Sequence, residues 1–230
     1  MSNNRFSSAS YADTKPHYNI LDGLRGAAAL MVVWYHVFEG YAFAEGTNGV
    51  EGGGLINVFN HGYLAVDFFF MLSGFVISYA YDDRWNKMSM GDFFKRRLVR
   101  LHPMIVMGAI IGLVTFLLGG CMKWDGSVTP MSGVALAFFL TCCFIPAWPG
   151  AMHEVRGNGE MFPLNGPAWS LFFEYIGNIC YALFIRRFST KVLAVWTAIL
   201  GVIYAWFAIF NVSGYESVGV GWTIMDNVNI

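Results

Sequence analysis

Five runs of about twenty residues, at 22–43, 62–81, 98–119, 167–185 and 192–212, are apolar enough to cross a lipid bilayer. They constrain this chain more than anything else in it. In a bilayer core every backbone N–H and C=O has to be satisfied internally, which leaves only helices and closed barrels. A membrane strand takes about 9–11 residues and a helix about 20, so runs of this length are helices. The chain of 230 residues is 56% hydrophobic and only 13% charged, which excludes an ordinary soluble domain. The expected fold class is all-α, a polytopic transmembrane helix bundle with about five to six spans in this chain. Its net charge of −1 gives no basic surface for nucleic acid. The four cysteines form no CxxC pair and show no zinc spacing, so no metal is expected.

A sixth segment, 131–148, "MSGVALAFFLTCCFIPAW", is short and bracketed by Pro130 and Pro146. The excess of Lys and Arg in cytoplasmic loops decides how to treat it. If it does not cross, Arg5, Lys15, Arg84, Lys87, Lys95, Arg96, Arg97, Arg186, Arg187 and Lys191 face one side, against Lys123 and Arg156 on the other. If it crosses, ten against two becomes eight against four. The segment is therefore expected to be re-entrant or to lie along the outer surface. The N-terminus is then cytoplasmic, 45–61 is an outer loop and 120–166 is a large outer excursion. Residues 1–19 read as a polar, disordered cytoplasmic tail, and 20–230 as the membrane domain. "GWTIMDNVNI" at the end starts a further element rather than closing one, so the domain is expected to be incomplete there.

The first span carries polar residues that lipid does not tolerate. Arg25 and His36 are eleven residues apart, which returns a helix to within about 20° of the same face. Asp22 and Glu39 fall about 40° and about 60° to either side, so the four form one stripe that should face protein or water. Two other spans carry acids, Asp67 in "GYLAVDFFFMLSGFVISYAY" and Glu174 in "NGPAWSLFFEYIGNICYALF". In the proposed topology Asp67, Glu174 and His36 sit about five, seven and six residues from the outer ends of their spans, and so at similar depth. Near the inner face, "DFFKRRLVRLHPM" places Arg97 and Arg100 three residues apart, on one helical face. Two neighbouring guanidiniums suit a phosphate, and Arg25 lies at the same level. The expectation is thus a basic phosphate site inside and a His/acid site further out.

In order along the chain, "LDGLRGAAALMVVWYH", "GYLAVDFFFMLSGFVIS", "FFKRRLVRLHP" and "LNGPAWSLFFEYIGNICYALF" resemble the integral-membrane acyltransferase 3 family, which O-acylates surface polysaccharides and other carbohydrates. The likeness covers about residues 19–190. It implies transfer from a cytoplasmic acyl-CoA, acetyl-CoA above all, to a carbohydrate or lipid-linked sugar acceptor in a bacterial cell envelope, with the protein in the inner membrane. His36 matches the family's first-helix histidine, held to be catalytic. Arg97 and Arg100 match its RxxR motif, linked to the acyl-CoA. Arg25 matches the arginine of the DGLRG block, and Glu174 the acidic position after the WSL motif. Family members often read "WSLSVEEQFY" with two adjacent acids; "WSLFFEYIGN" keeps one. Members also have about ten spans, against roughly half that number here.

In the layout this implies, Arg25, Arg97 and Arg100 hold the donor phosphates. His36 acts as general base on the acceptor hydroxyl, with Asp67 or Glu174 orienting the imidazole. Intramembrane His, Asp and Glu also make proton relays, so a proton-coupled transporter and a non-catalytic membrane subunit stay open as alternatives.

Overall fold

The computed structural model describes residues 18–44, 62 and 64–210, excluding the side chains of 38–44 and 207–208. Most of the expected tail, the loop 45–61 and everything beyond residue 210 lie outside the described residues, as does the Glu39 side chain. The described residues are all-α, with six helices and, between Met122 and Val128, one isolated β-bridge. The helices are α1 (Asn19–Ala44), α2 (Leu64–Tyr81), α3 (Met90–Leu118), α4 (Met131–Cys142), α5 (Ala168–Leu183) and α6 (Thr190–Phe210). Short 3₁₀ turns follow α2 at Asp82–Arg84 and α5 at Ile185–Arg187. Four stretches are long and apolar enough to cross a membrane: Asn19–Val37, Leu64–Arg84, Met90–Leu118 and Ala168–Arg187. Large apolar side chains stay exposed along them, such as Val33, Met71, Val99 and Ile111, as lipid contact requires and water would penalise. The fifth expected span coincides with α6, 21 residues whose described side chains are all exposed.

The chain divides into two compact units, Met1–Met71 and Leu72–Ile230, so α2 contributes to both. In the first, Ala28 of α1 and Ala65 of α2 are buried. Gly62, just ahead of α2, lies against α1 so closely that a Cβ there would stand 2.5 Å from the Tyr35 Cβ and collide with the Met31 carbonyl. Only glycine fits that approach.

In the second unit, α3 begins eight residues earlier than the apolar run at 98 predicts. Ser89 caps it: its hydroxyl accepts from the Asp92 N–H at 3.1 Å, and the Asp92 carboxylate accepts from the Ser89 N–H at 3.2 Å. This reciprocal box satisfies two orphan donors of the first turn. The helix therefore runs through the charged residues, with Lys95 and Arg96 exposed and Phe93 and Arg97 buried. Four residues on from its end, α3 leads into the turn held by the Met122–Val128 bridge.

α4 has 12 residues, about 18 Å at 1.5 Å per residue, too short for a core of about 30 Å. It packs on the C-terminal half of α3, where Phe116, Cys121, Val134, Ala137, Val155 and Leu164 form one apolar core. The chain from Cys143 to Pro167 is irregular but tied down. Ala147 N donates to the Met161 carbonyl at 2.7 Å, Trp124 N to Arg156 O at 2.9 Å, and Thr129 Oγ1 to Val155 O at 3.0 Å. This segment then descends along α3 into a notch made by Gly108 and Gly112. A Cβ at Gly108 would lie 2.5 Å from Asn165 Nδ2, and one at Gly112 would collide with the Leu164 carbonyl. A small-xxx-small spacing that ordinarily receives a second helix here receives irregular backbone.

Candidate active site

Three contacts set α5 antiparallel to α3. Asn165 Nδ2, just ahead of α5, donates to the Ile105 carbonyl at 3.1 Å. Glu174 meets Arg97, and the Tyr181 and Phe93 rings lie 5.9 Å apart. Passing down α5 from 165 to 174 to 181 thus passes back along α3 from 105 to 97 to 93. α5 starts level with the middle of α3, because 143–167 occupies the space beside the C-terminal half of α3.

At the centre of this register Arg97 Nη2 donates to Glu174 Oε1 at 2.5 Å, and Ser73 Oγ of α2 donates to the same oxygen at 2.9 Å. The Arg97 side chain is 2% exposed and that of Glu174 21%. A buried guanidinium left without its carboxylate costs about 3–5 kcal/mol, so the pair fixes α3 against α5. This corrects the two-level layout: Glu174 does not lie further out than Arg97 but directly against it. The depth count failed because it ran from residue 167 alone, without the register that sets Asn165 against Ile105 in the middle of α3. Arg97 and Arg100 also do not present a joint fork. Arg97 is turned into the bundle while Arg100 is exposed.

Four buried polar atoms around the pair lack a hydrogen-bond partner among the described residues: Arg97 Nε, Tyr175 Oη and both amide atoms of Asn178. Asn178 lies one helical turn from Glu174 and is 0% exposed. Sequence reasoning passed over it as one polar residue in an apolar run; its spacing of four from Glu174 was the available signal.

Beyond this, at the end shared by the α2 C-terminus and the α3 N-terminus, Asp82 accepts from Ser78 Oγ at 2.5 Å and from the Tyr181 hydroxyl. Trp85 Nε1 donates to the Tyr181 oxygen at 3.2 Å, and the Arg186 guanidinium stands 4.1 Å from the Trp85 ring centroid. Exposed Lys95, Arg96 and Arg187 share this end.

The remaining expected site residues belong to the first unit. Arg25 Nη1 donates to Asp22 Oδ1 at 2.9 Å, the local pairing their i, i+3 spacing implies. The His36 side chain is exposed, its ring 5.4 Å from that of Tyr35. Asp67 is exposed on the first turn of α2.

Ionisable side chains carried on helices long and apolar enough to cross a membrane mark an integral membrane protein. The sequence says which class. The acyltransferase family 3 model, described as an acyltransferase domain, matches residues 18–227, and the chain belongs to that family. Membership places it among membrane O-acyltransferases rather than transporters. A protein of Rhizobium radiobacter named for its place in the picA locus is 34% identical over 203 residues, covering 82% of this chain and 95% of that one. The acyltransferase MdmB of Streptomyces mycarofaciens is 29% identical over 172 residues, 72% of this chain and 38% of its own length. The peptidoglycan O-acetyltransferase OatA of Listeria monocytogenes is 26% identical over 208 residues, 85% of this chain and 29% of its own. The chain thus spans nearly all of the first relative and well under half of the other two. No solved structure matches it significantly.

Proposed function

We propose that this protein transfers an acyl group, acetyl in the first instance, from cytoplasmic acyl-CoA to a hydroxyl of a carbohydrate or lipid-linked sugar of the cell envelope, from the bacterial inner membrane and with its N-terminus cytoplasmic. The observation that carries this reading is the Arg97–Glu174 pair within a chain of acyltransferase sequence. Charges at membrane depth are costly and are retained for function. A relative named as a peptidoglycan O-acetyltransferase supports a carbohydrate acceptor.

In this reading His36 takes the proton of the attacking hydroxyl. The hydroxyl oxygen bonds to the acyl carbon, the carbon–sulfur bond breaks, and the proton passes to the departing thiolate. Asp67, in the same unit, orients the imidazole. Arg100 and Arg25 meet donor phosphates. Arg97 is a positioning residue, its charge spent on Glu174, and Glu174 positions it in turn.

His36→Gln tests the reading. Turnover per folded molecule should fall by about 10²–10⁴, with thermal stability and acetyl-CoA affinity near wild type. Near-normal turnover removes the base assignment. Absence of acetyl-CoA binding by the wild-type protein removes the donor.

A further inference from the structure

α4 and the chain on either side of it leave one place and come back to it. Trp124 N donates to the Arg156 carbonyl at 2.9 Å and Thr129 Oγ1 to the Val155 carbonyl at 3.0 Å, so the stretch between them does not cross the membrane. It nevertheless goes deep. Val134 and Ala137 of α4 pack with Phe116, near the C-terminal end of α3. Just past the end of α4, the Phe144 ring lies 5.1 Å from that of Phe162, 5.7 Å from Phe172 and 5.3 Å from Tyr175. Tyr175 adjoins Glu174, which meets Arg97 in the first third of α3. α4 therefore runs back beside α3, from its end towards its middle.

Everything exposed along this path is uncharged. No Asp, Glu, Lys, Arg or His occurs among the 27 residues from Gly126 to Met152. Met131, Ala135, Phe139 and Cys143 follow at intervals of four, so they share one face, and all four are exposed. The opposite face, with Val134, Ala137 and Thr141, is buried. At the same level Ile110, Ile111 and Val114 of α3 are exposed too. α3 is a membrane-spanning helix, and these residues belong to its charge-free part, so the outward row of α4 beside them meets the same surroundings. Water penalises such a continuous apolar surface and hydrocarbon does not. Trp124, exposed in the turn ahead of α4, stands where an interfacial anchor belongs.

We propose that residues 126–152 form a re-entrant hairpin whose outward row, Met131, Ala135, Phe139 and Cys143, is seated among the lipid acyl chains of the leaflet on the side of the α3 C-terminus. The partner of this face is bilayer hydrocarbon. Neither the donor nor the acceptor proposed above enters into it.

The test is nitroxide labelling of the full chain in lipid nanodiscs. Met131→Cys, Ala135→Cys and Phe139→Cys are each made in a chain carrying Cys121→Ala, Cys142→Ala, Cys143→Ala and Cys180→Ala; for the fourth position Cys143 is kept and the other three are replaced. Oxygen, which concentrates among acyl chains, should relax the labels at 135, 139 and 143, and a water-soluble nickel chelate should not. Depth should increase steadily from 131 to 143, by up to about 18 Å for twelve residues of helix. A label at Ser127→Cys, in the turn, should be open to the chelate. Equal depths along the row would mean a helix lying flat on the surface. Chelate access throughout would mean a water-filled vestibule, and access by neither reagent a protein partner. Each of these overturns the proposal. Should the cysteine-free chain not fold, two variants of the native chain decide. Phe139→Asp should lower the melting temperature in nanodiscs by several degrees, since a carboxylate is costly in hydrocarbon, while Phe139→Leu leaves it unchanged. Equal melting temperatures for the two overturn the proposal.

Discussion

Arg97 and Glu174 meet between α3 and α5, and Ser73 of α2 donates to the same Glu174 oxygen at 2.9 Å. One carboxylate oxygen thus collects donors from two other helices. Taking either charge away leaves the other buried and uncompensated, which is dearer than losing both.

Arg97→Met and Glu174→Leu should each lower stability by about 3–5 kcal/mol. The double variant should lose markedly less than the sum, since contacting residues do not add. Thermal melts of all four proteins in one detergent check this. Additive losses would show that the two side chains act separately.

Arg100 differs from Arg97 in being exposed. Arg100→Ala should leave the melting temperature unchanged and weaken acetyl-CoA by about 1.5–3 kcal/mol, the worth of a charge-assisted contact. Arg100→Lys should recover part of it, since the ammonium lacks the planar fork. Unchanged affinity in Arg100→Ala would reduce this residue to a topology signal.

The notch in α3 is testable by a single methyl. Gly112→Ala drives a Cβ into the Leu164 carbonyl and should cost about 1–3 kcal/mol as overpacking. Gly74→Ala, whose Cβ meets nothing within 4 Å, should be neutral or stabilising by helix propensity. Equal melting temperatures for the two would mean that the 162–166 segment does not dock in the notch.

Glu160 lies in the 143–167 segment, outside the spanning helices. Burial pushes its carboxyl above the ordinary 4.5, against the Asn158 hydrogen bond and the Arg156 charge and with help from Glu154. The folded state therefore binds this proton more tightly than the unfolded state. Its contribution to stability falls as pH rises from about 4.5 through the raised value, then levels off. Glu160→Gln keeps an oxygen for Asn158 and should be the more stable form at neutral pH, with the gap closing on acidification. A gap that does not change with pH would mean that this carboxyl is not desolvated.

Much of this was legible in the sequence. Apolar run lengths gave all five long helices. The shortness of 131–148 is borne out by the 12 residues of α4. The start of α3 was missed because hydropathy stops at "KRR", while the helix is set by the Ser89–Asp92 box, a local hydrogen-bond signal. The Arg97–Glu174 contact was missed for another reason. It depends on where α5 begins relative to α3, and that is fixed by Asn165, Gly108 and Gly112, residues whose meaning appears only when they are brought together. Counting inward from an assumed surface could not supply it.

The late start of α5 bears on biogenesis. Its 16 residues make about 24 Å of helix, less than the hydrocarbon core, and the turn ahead of it hangs from the Ile105 carbonyl through Asn165. That carbonyl belongs to a helix made some sixty residues earlier in synthesis. The docking of α5 through Asn165 therefore has to wait until both helices have been made, as does the Arg97–Glu174 pair. Neither contact can form within a local stretch of chain, since the partners lie 60 and 77 residues apart.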